Sequence, residues 1–398
     1  MKNVNLHKAI SFLGIFLYLA VLTSGFTKIG YDGFSSLHDE VANTLLQLRI
    51  DTNDFALSGE AFIVEDKFFS YFGVTPSLLR LPFHIFVNDL NLSLIYNILG
   101  FVLLIGLLHK LSEHLNSFLY FACVIWVVAL SNGTSTYFEN ILWGLNFSLL
   151  SYIFYQKKAF RLCLLFIFLA FHARVTLAIG VSIFFALDLI NQHRGDIRRL
   201  PLLFLVGLGL VFASVLALNF LKFGHLSPLP SQHIQNRTVP LLADSYVQPA
   251  MALRGTFVYL FSFSLSEFLY GFIYFTLEKF MPENGEVLTR EKVYGLAFFP
   301  LFWIFLKNCA LKIRKEYPIL VAFIVVFLFL TAFIGTSHRY LFDLYPLIML
   351  SLLRNDNPLL RNDNRGSIFW KTYIVLWAIS YVWFAVYQRT DYRMGFGF

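Results

Sequence analysis

The stretch LSLIYNILGFVLLIGLLHKL, residues 92–111, decides the class of fold. Its only fully charged side chain is Lys110, next to its end. A run of about 20 apolar residues is long enough to cross a bilayer as a helix. Comparable apolar runs recur along the chain, at residues 9–27, 117–131, 140–156, 159–172, 174–190, 200–220, 293–309, 317–335, 340–353 and 369–388. The sequence therefore predicts an all-α, polytopic integral membrane protein with about eleven transmembrane helices.

The composition agrees with this class. Of the 398 residues, 58% are hydrophobic and 14% are charged, whereas a soluble domain carries about 25% charged residues. A basic flank, Lys2–Lys8, precedes the first run, and no small-residue cleavage site follows it, so we predict a retained signal anchor. The net charge of +7 predicts no nucleic-acid partner, because membrane topology accounts for most of the surplus.

The distribution of charge predicts the orientation. With the N-terminus in the cytoplasm, the segments on that side hold 17 Lys/Arg and 6 Asp/Glu, and the other side holds 14 Lys/Arg and 18 Asp/Glu. Basic residues concentrate in short cytoplasmic loops. We therefore expect residues 28–91, residues 221–292 and the C-terminus to be extracytoplasmic.

One further apolar segment, residues 256–278, is long enough to span the membrane but is not among the eleven predicted spans. If it spanned, the basic cluster that follows it would become extracytoplasmic. We predict a re-entrant or interface-lying segment that carries Glu267, and twelve spans remain the alternative. No linker divides the chain, so residues 1–398 are predicted to form a single transmembrane domain.

The tripeptide His38-Asp39-Glu40 opens the chemically informative part of the first loop. Apolar residues at positions 37, 41, 45 and 48 predict a helix over Leu37–Ile50 that lies on the membrane. An acidic pair at a membrane surface is costly unless it is solvated, paired or used. One acid of the pair is predicted to be a general base, and its neighbour to orient it or to hold a divalent metal. The alternative is that both acids only favour the helix N-terminus.

Three further motifs carry cations near predicted span ends. The stretch YFGVTPSLLRLP (71–82) contains a Gly-Pro turn, and Pro76 is predicted to start a helix that carries Arg80. Arg174 lies in the turn ARVT (173–176), and Arg339 and Asp343 lie in SHRYLFDLYP (337–346). An i, i+4 spacing places Arg339 and Asp343 on one helix face. Arg80 is predicted either to grip a phosphate or to reach lipid headgroups. Arg339 is predicted either to contact a lipid phosphate, positioned by Asp343, or only to pair with Asp343 within the helix.

These motifs together resemble the GT-C superfamily, the multispan glycosyltransferases that use a polyprenyl-phosphate sugar outside the cytoplasm. The shared features are the acidic pair Asp39-Glu40 in the first long loop, its interface helices, the stretch 71–82, the ARVT turn and the RYLxDxxP helix start at 339–346. The architecture covers most of the chain, but the motifs cover only about 40 residues. The length and the overall character of the chain also resemble those of the serotype-converting O-antigen glucosyltransferases.

The resemblance implies partners and a site. It implies a polyprenyl-phosphate sugar donor, a glycan acceptor such as O-antigen or lipopolysaccharide, and membrane lipid, with the active site facing the periplasm from the bacterial inner membrane. The resemblance implies that Asp39 is the general base and that Glu40 is a catalytic neighbour that orients a loop or a possible divalent metal. The substrate-binding residues would be Tyr71, Arg80, Arg174, Glu267, His338, Arg339 and Asp343. The competing hypotheses are an O-antigen polymerase or ligase and a lipid-linked glycan transporter.

Overall fold

The computed structural model describes most of the chain. The described residues are 2–23, 36–52, 62–70, 72–86, 91–112, 115–131, 136–194, 201–224, 226, 235–236, 256, 260, 295–331, 338–354 and 365–395. Their α-helices are α1 Lys2–Leu22, α2 Leu37–Leu46, α3 Thr75–His84, α4 Ser93–Leu111, α5 Ser117–Val128, α6 Thr136–Gln156, α7 Phe160–Phe171, α8 Val175–Gln192, α9 Leu202–Phe223, α10 Pro300–Leu311, α11 Ile313–Thr331, α12 Tyr345–Arg354 and α13 Arg365–Gly395.

Each of the predicted apolar runs overlaps one of these helices. Within the described residues, four helical segments are long and apolar enough to cross a membrane: Asn5–Leu22, Ser93–Leu111, Val175–Gln192 and Leu202–Phe223. Several others are shorter. At 1.5 Å per residue, the twelve residues of α7 extend about 18 Å, which is less than a hydrocarbon core of about 30 Å. The helical membrane class is supported, and the count of eleven spans remains a prediction.

The helices belong to two compact units that alternate along the sequence. One unit comprises residues 1–30, 102–132 and 247–398, and the other comprises residues 31–101 and 133–246. The second unit contains α2, α3, the start of α4, and α6 to α9. It therefore holds the first loop and its acidic pair.

A three-stranded antiparallel sheet is the departure from the all-α prediction. Strands β1 (Phe62–Val64) and β2 (Lys67–Phe69) form a hairpin, and β3 (Gln235–Asn236) pairs with β1. Glu65 and Asp66 form the hairpin turn with φ of 49° and 60°, as tight hairpin turns require. Phe62 and Phe69 pack with Phe223 at the end of α9. These aromatic contacts tie the sheet to that helix.

The first unit is built on buried aromatic rings. Trp126 lies 4.7 Å from Phe299 and 4.9 Å from Tyr345 between ring centroids. The hydroxyl of Tyr345 donates to the carbonyl of Cys123 at 3.0 Å. Buried tyrosines need such a partner, so this bond joins α12 to α5.

The predicted helix face of Arg339 and Asp343 is wrong. Residues His338–Asp343 form a 3-10 helix, and α12 begins only at Tyr345. In a 3-10 helix, which has three residues per turn, positions four apart differ by about 120° and do not share a face. Asp343 is fully buried and has an interaction partner.

Candidate functional site

The helix α2 carries the acidic pair and packs on protein through its apolar face. Leu37 and Val41 are buried against Phe72 and Tyr137, with Leu45 beside them. The helix ends at Leu46, and Leu48 takes a left-handed φ of 58° and is 96% exposed. The predicted extension to Ile50 is therefore wrong, and the face that was expected to lie on the membrane is covered by side chains of the same unit.

The turn that precedes α3 lies against the chain between α7 and α8. A Cβ at Gly73 would come within 2.0 Å of the carbonyl oxygen of His172, so only glycine fits. The amide of Thr75 donates to that same oxygen at 2.8 Å. Pro76 lies in the first turn of α3, as predicted, because a proline there loses no helical hydrogen bond.

Arg80 lies at the centre of a buried ionic cluster. Its Nε donates to Asp39 Oδ1 at 3.0 Å, and its two terminal nitrogens donate to Glu139 Oε1 and Oε2 at 2.5 and 2.9 Å. The remaining N–H groups donate to the carbonyl of Pro76 and to Ser93 Oγ, each at 3.2 Å. An arginine has five N–H donors, so all of them are used, and the side chain has no exposed area.

The electrostatics of the cluster keep Arg80 charged. Burial alone lowers the pKa of Arg80, but the neighbouring carboxylates of Glu139 and Asp39 outweigh it, and the pKa is raised above its usual value. The guanidinium carbon also lies 4.6 Å from the ring centroid of Tyr96, within the range of a cation–π contact. The expectation that Arg80 reaches lipid headgroups is wrong, because it is enclosed by protein.

Asp39 and Glu40 are adjacent in sequence but differ in environment. Asp39 is 5% exposed. Its Oδ1 accepts from Arg80 and is 2.9 Å from His84 Nε2, and its Oδ2 accepts from the amide of Leu92 at 3.2 Å. Glu40 is partly exposed, and no hydrogen bond or ion pair of its carboxylate is found within the described part of the chain.

His38 is buried as a neutral ring. The amide nitrogen of Asn140 donates to its Nε2 at 3.0 Å, and its Nδ1 lies 3.1 Å from Ser77 Oγ. Because Nε2 accepts, the proton is on Nδ1, which donates to Ser77. Burial first, and then the positive charges of Arg80 and Lys222, hold the pKa of His38 well below 6.5.

Two residues of the site, His84 and Lys222, are not part of the sequence motifs that predicted it. His84, which contacts Asp39, is i+4 to Arg80 on α3, and that spacing could have predicted a shared face. Lys222 is 4% exposed and donates from Nζ to the carbonyls of Ser70 and Phe72 at 2.9 and 3.0 Å. Its only sequence signal is a lone charge at the end of an apolar run.

The contacts define one polar end of this unit. Asp39 and Arg80 contact the starts of α4 and α6, through Leu92, Ser93 and Glu139. The segment 70–75 contacts the ends of α7 and α9, through His172 and Lys222. The starts of α4 and α6 and the ends of α7 and α9 therefore lie together, as the alternating topology requires.

The structure describes the remaining predicted site residues in less detail. Arg174 immediately precedes α8 and lies close to α6, since its Cβ is 3.0 Å from the position of a Cβ on Gly144. Asp343 belongs to the other unit, as do His338 and Arg339, whose side chains lie outside the described part of the structure. Tyr71 and Glu267, and nearly all of the segment 256–278, also lie outside the described residues.

Within the described residues, no group of three or more His, Cys, Asp and Glu side chains is arranged to hold a metal ion. Comparison with protein-family profiles, with curated proteins and with solved structures found no match to this chain.

Proposed function

We propose that this protein is a membrane glycosyltransferase. It transfers a sugar, most simply a hexose, from a polyprenyl-phosphate donor to a cell-surface glycan such as O-antigen or lipopolysaccharide. The reaction takes place on the periplasmic side of the bacterial inner membrane. The acidic pair Asp39-Glu40 supplies the general base.

One observation carries the proposal. Asp39 of the acidic pair binds the buried Arg80, which also binds Glu139 on α6 and Ser93 at the start of the apolar helix α4. Placing an ionisable group in a membrane segment costs free energy, so such groups mark sites of function. A reaction between a lipid phosphate and a hydrophilic glycan needs charged groups near the lipid headgroups, because the phosphate lies with the headgroups and the prenyl tail lies in the membrane.

The chemistry requires a base and a leaving group. The acceptor hydroxyl is a poor nucleophile until a positioned carboxylate takes its proton, which contributes about 10²–10⁴-fold. The hydroxyl oxygen attacks the anomeric carbon while the bond to the phosphate breaks. Polyprenyl phosphate leaves with the bonding electron pair, so no nucleotide is consumed, and the sequence contains no phosphate-binding P-loop motif.

The donor phosphate needs cations other than Arg80. All N–H groups of Arg80 are occupied by Asp39, Glu139, Ser93 and Pro76. Arg174 and Arg339 remain the predicted phosphate ligands. The roles of Tyr71, Glu267, His338 and Asp343 in substrate binding also remain predictions.

The proposal is tested by transfer in isolated membranes. Membranes with and without the protein are incubated with a panel of radiolabelled polyprenyl-phosphate hexoses and with lipopolysaccharide from cells that lack the protein. We expect label in the glycan only when the protein is present, and no label with the double variant Asp39→Asn/Glu40→Gln. Mass spectrometry of surface glycan from the same cells should show one added hexose per repeat.

Other outcomes would contradict the proposal. Lengthening of the glycan without a new branch would indicate a polymerase or ligase. Movement of the lipid-linked sugar across the membrane without transfer would indicate a transporter. Unaltered glycan together with no transfer from any donor in the panel would reject the glycosyltransferase.

A further inference from the structure

The two carboxylates of the acidic pair are not equivalent. Asp39 and Glu40 are consecutive on α2, so their side chains point about 100° apart. One direction leads into the buried cluster of Arg80, and the other leads to a surface that is partly open to solvent. Only one of the two carboxylates is thus accessible to a hydroxyl group from outside.

The oxygens of Asp39 are already engaged. Three donors, from Arg80, His84 and the backbone of Leu92, surround a carboxylate that is 5% exposed. A carboxylate of two oxygens offers about four acceptor positions, and three of them are occupied. A general base has to come within hydrogen-bond reach of the proton that it takes, and among the described residues Asp39 offers little exposed surface to an approaching hydroxyl group.

The partners of Asp39 come from separate elements. Arg80 and His84 belong to α3, Leu92 precedes α4, and Arg80 also binds Glu139 on α6. These bonds fix α2 against two helices of the unit. Because Glu40 is the next residue on α2, the same bonds also fix the direction in which the Glu40 side chain points.

We propose that Glu40 is the catalytic base and that Asp39 is a positioning residue, which holds α2 in place through Arg80 and His84. This assignment rests on the proposed function, and it reverses the roles that the family resemblance implies. In the transfer step, a Glu40 oxygen takes the proton of the acceptor hydroxyl while the acceptor oxygen bonds to the anomeric carbon. The bond from that carbon to the phosphate oxygen breaks, and its electrons leave with polyprenyl phosphate.

Single variants separate the two roles. Glu40→Gln should lower transfer by about 100-fold or more with an unchanged thermal midpoint in detergent, because its carboxylate makes no described contact. Asp39→Asn should lower the midpoint, because Arg80 loses one of its two carboxylates, and it should retain measurable transfer per folded molecule. Glu65→Gln, which removes an exposed carboxylate from the hairpin turn of the same loop, is the matched control and should change neither quantity.

Chemical rescue gives a second readout that a structural role does not affect. Added formate can enter the space left by a removed carboxylate and act as the base. We expect formate to restore part of the transfer by Glu40→Ala and none of the transfer by Asp39→Ala.

The outcomes are distinct. Full transfer by Glu40→Gln, or formate rescue of Asp39→Ala alone, would overturn the assignment while leaving the glycosyltransferase intact. If Asp39→Asn fails to fold, the Glu40 variants and their rescue still decide. Absence of transfer by the wild-type protein would reject the proposed function itself, and the inference with it.

Discussion

At the scale of single residues, Arg80 is buried between the carboxylates of Asp39 and Glu139. Breaking a buried ion pair by removing one partner costs about 3–5 kcal/mol, because the other charge stays buried without compensation. We expect Arg80→Met to lower the free energy of unfolding by about this amount, measured as thermal unfolding in detergent. Arg49→Met is the control, since the side chain of Arg49 is 56% exposed where it pairs with Asp51, and its loss should have a much smaller effect. Equal effects of the two variants would contradict this account.

His38 makes stability depend on pH. Its pKa is well below 6.5 in the folded protein and returns to about 6.5 in the unfolded chain, so protons bind preferentially to the unfolded state. Above about pH 6.5 the free energy of unfolding is not reduced by the protonation of His38. As the pH falls from there towards the folded pKa of His38, the free energy of unfolding decreases by at most about 1.4 kcal/mol per pH unit. We expect the thermal midpoint to fall between pH 7.5 and 5.5, and His38→Gln to reduce that fall. An identical pH dependence in the variant would exclude His38 as the cause.

At the scale of elements, the turn before α3 decides where Arg80 lies. Gly73 is in contact with the carbonyl of His172, and any Cβ would overlap it. We expect Gly73→Ala to displace this turn, break the bond from Thr75 to His172, and cost about 1–3 kcal/mol. Gly106→Ala in α4 is the control, because nothing lies within 4 Å of its Cβ position, and alanine is favoured over glycine in a helix by about 1 kcal/mol. A stable Gly73→Ala protein with full activity would show that the turn is not constrained.

At the scale of the whole molecule, the alternation of helix ends predicts a topology that labelling can test. The hairpin turn at Asp66 and the turn at Lys157 after α6 are both exposed, and they should lie on opposite sides of the membrane. We expect a membrane-impermeant maleimide to label Asp66→Cys in intact cells and to label Lys157→Cys only after permeabilisation. The native cysteines are buried, which keeps the background low. Labelling of both positions in intact cells would reject the alternation of helices in this unit.

The orientation of the C-terminus tests the number of spans. Eleven spans with a cytoplasmic N-terminus place Phe398 outside the cytoplasm, whereas twelve spans place it inside. We expect alkaline phosphatase fused after Phe398 to be active, because that enzyme requires the oxidising periplasm to form its disulfides. Green fluorescence from a cytoplasm-only reporter at the same position would favour twelve spans.

The sequence by itself determined the mainly helical fold with its apolar helices, the approximate bounds of the long helices and the start of α3. These features depend on local properties: apolar runs form helices because backbone groups must be satisfied inside a bilayer, and Pro76 marks a first turn. Only the tertiary structure decided which charges meet. Asp39, Arg80 and Glu139 are separated by 41 and 59 positions, and nothing in local composition indicates that three helices bring them together. Burial likewise distinguishes Asp39 from Glu40, because the side of a helix that faces protein is set by the elements packed against it.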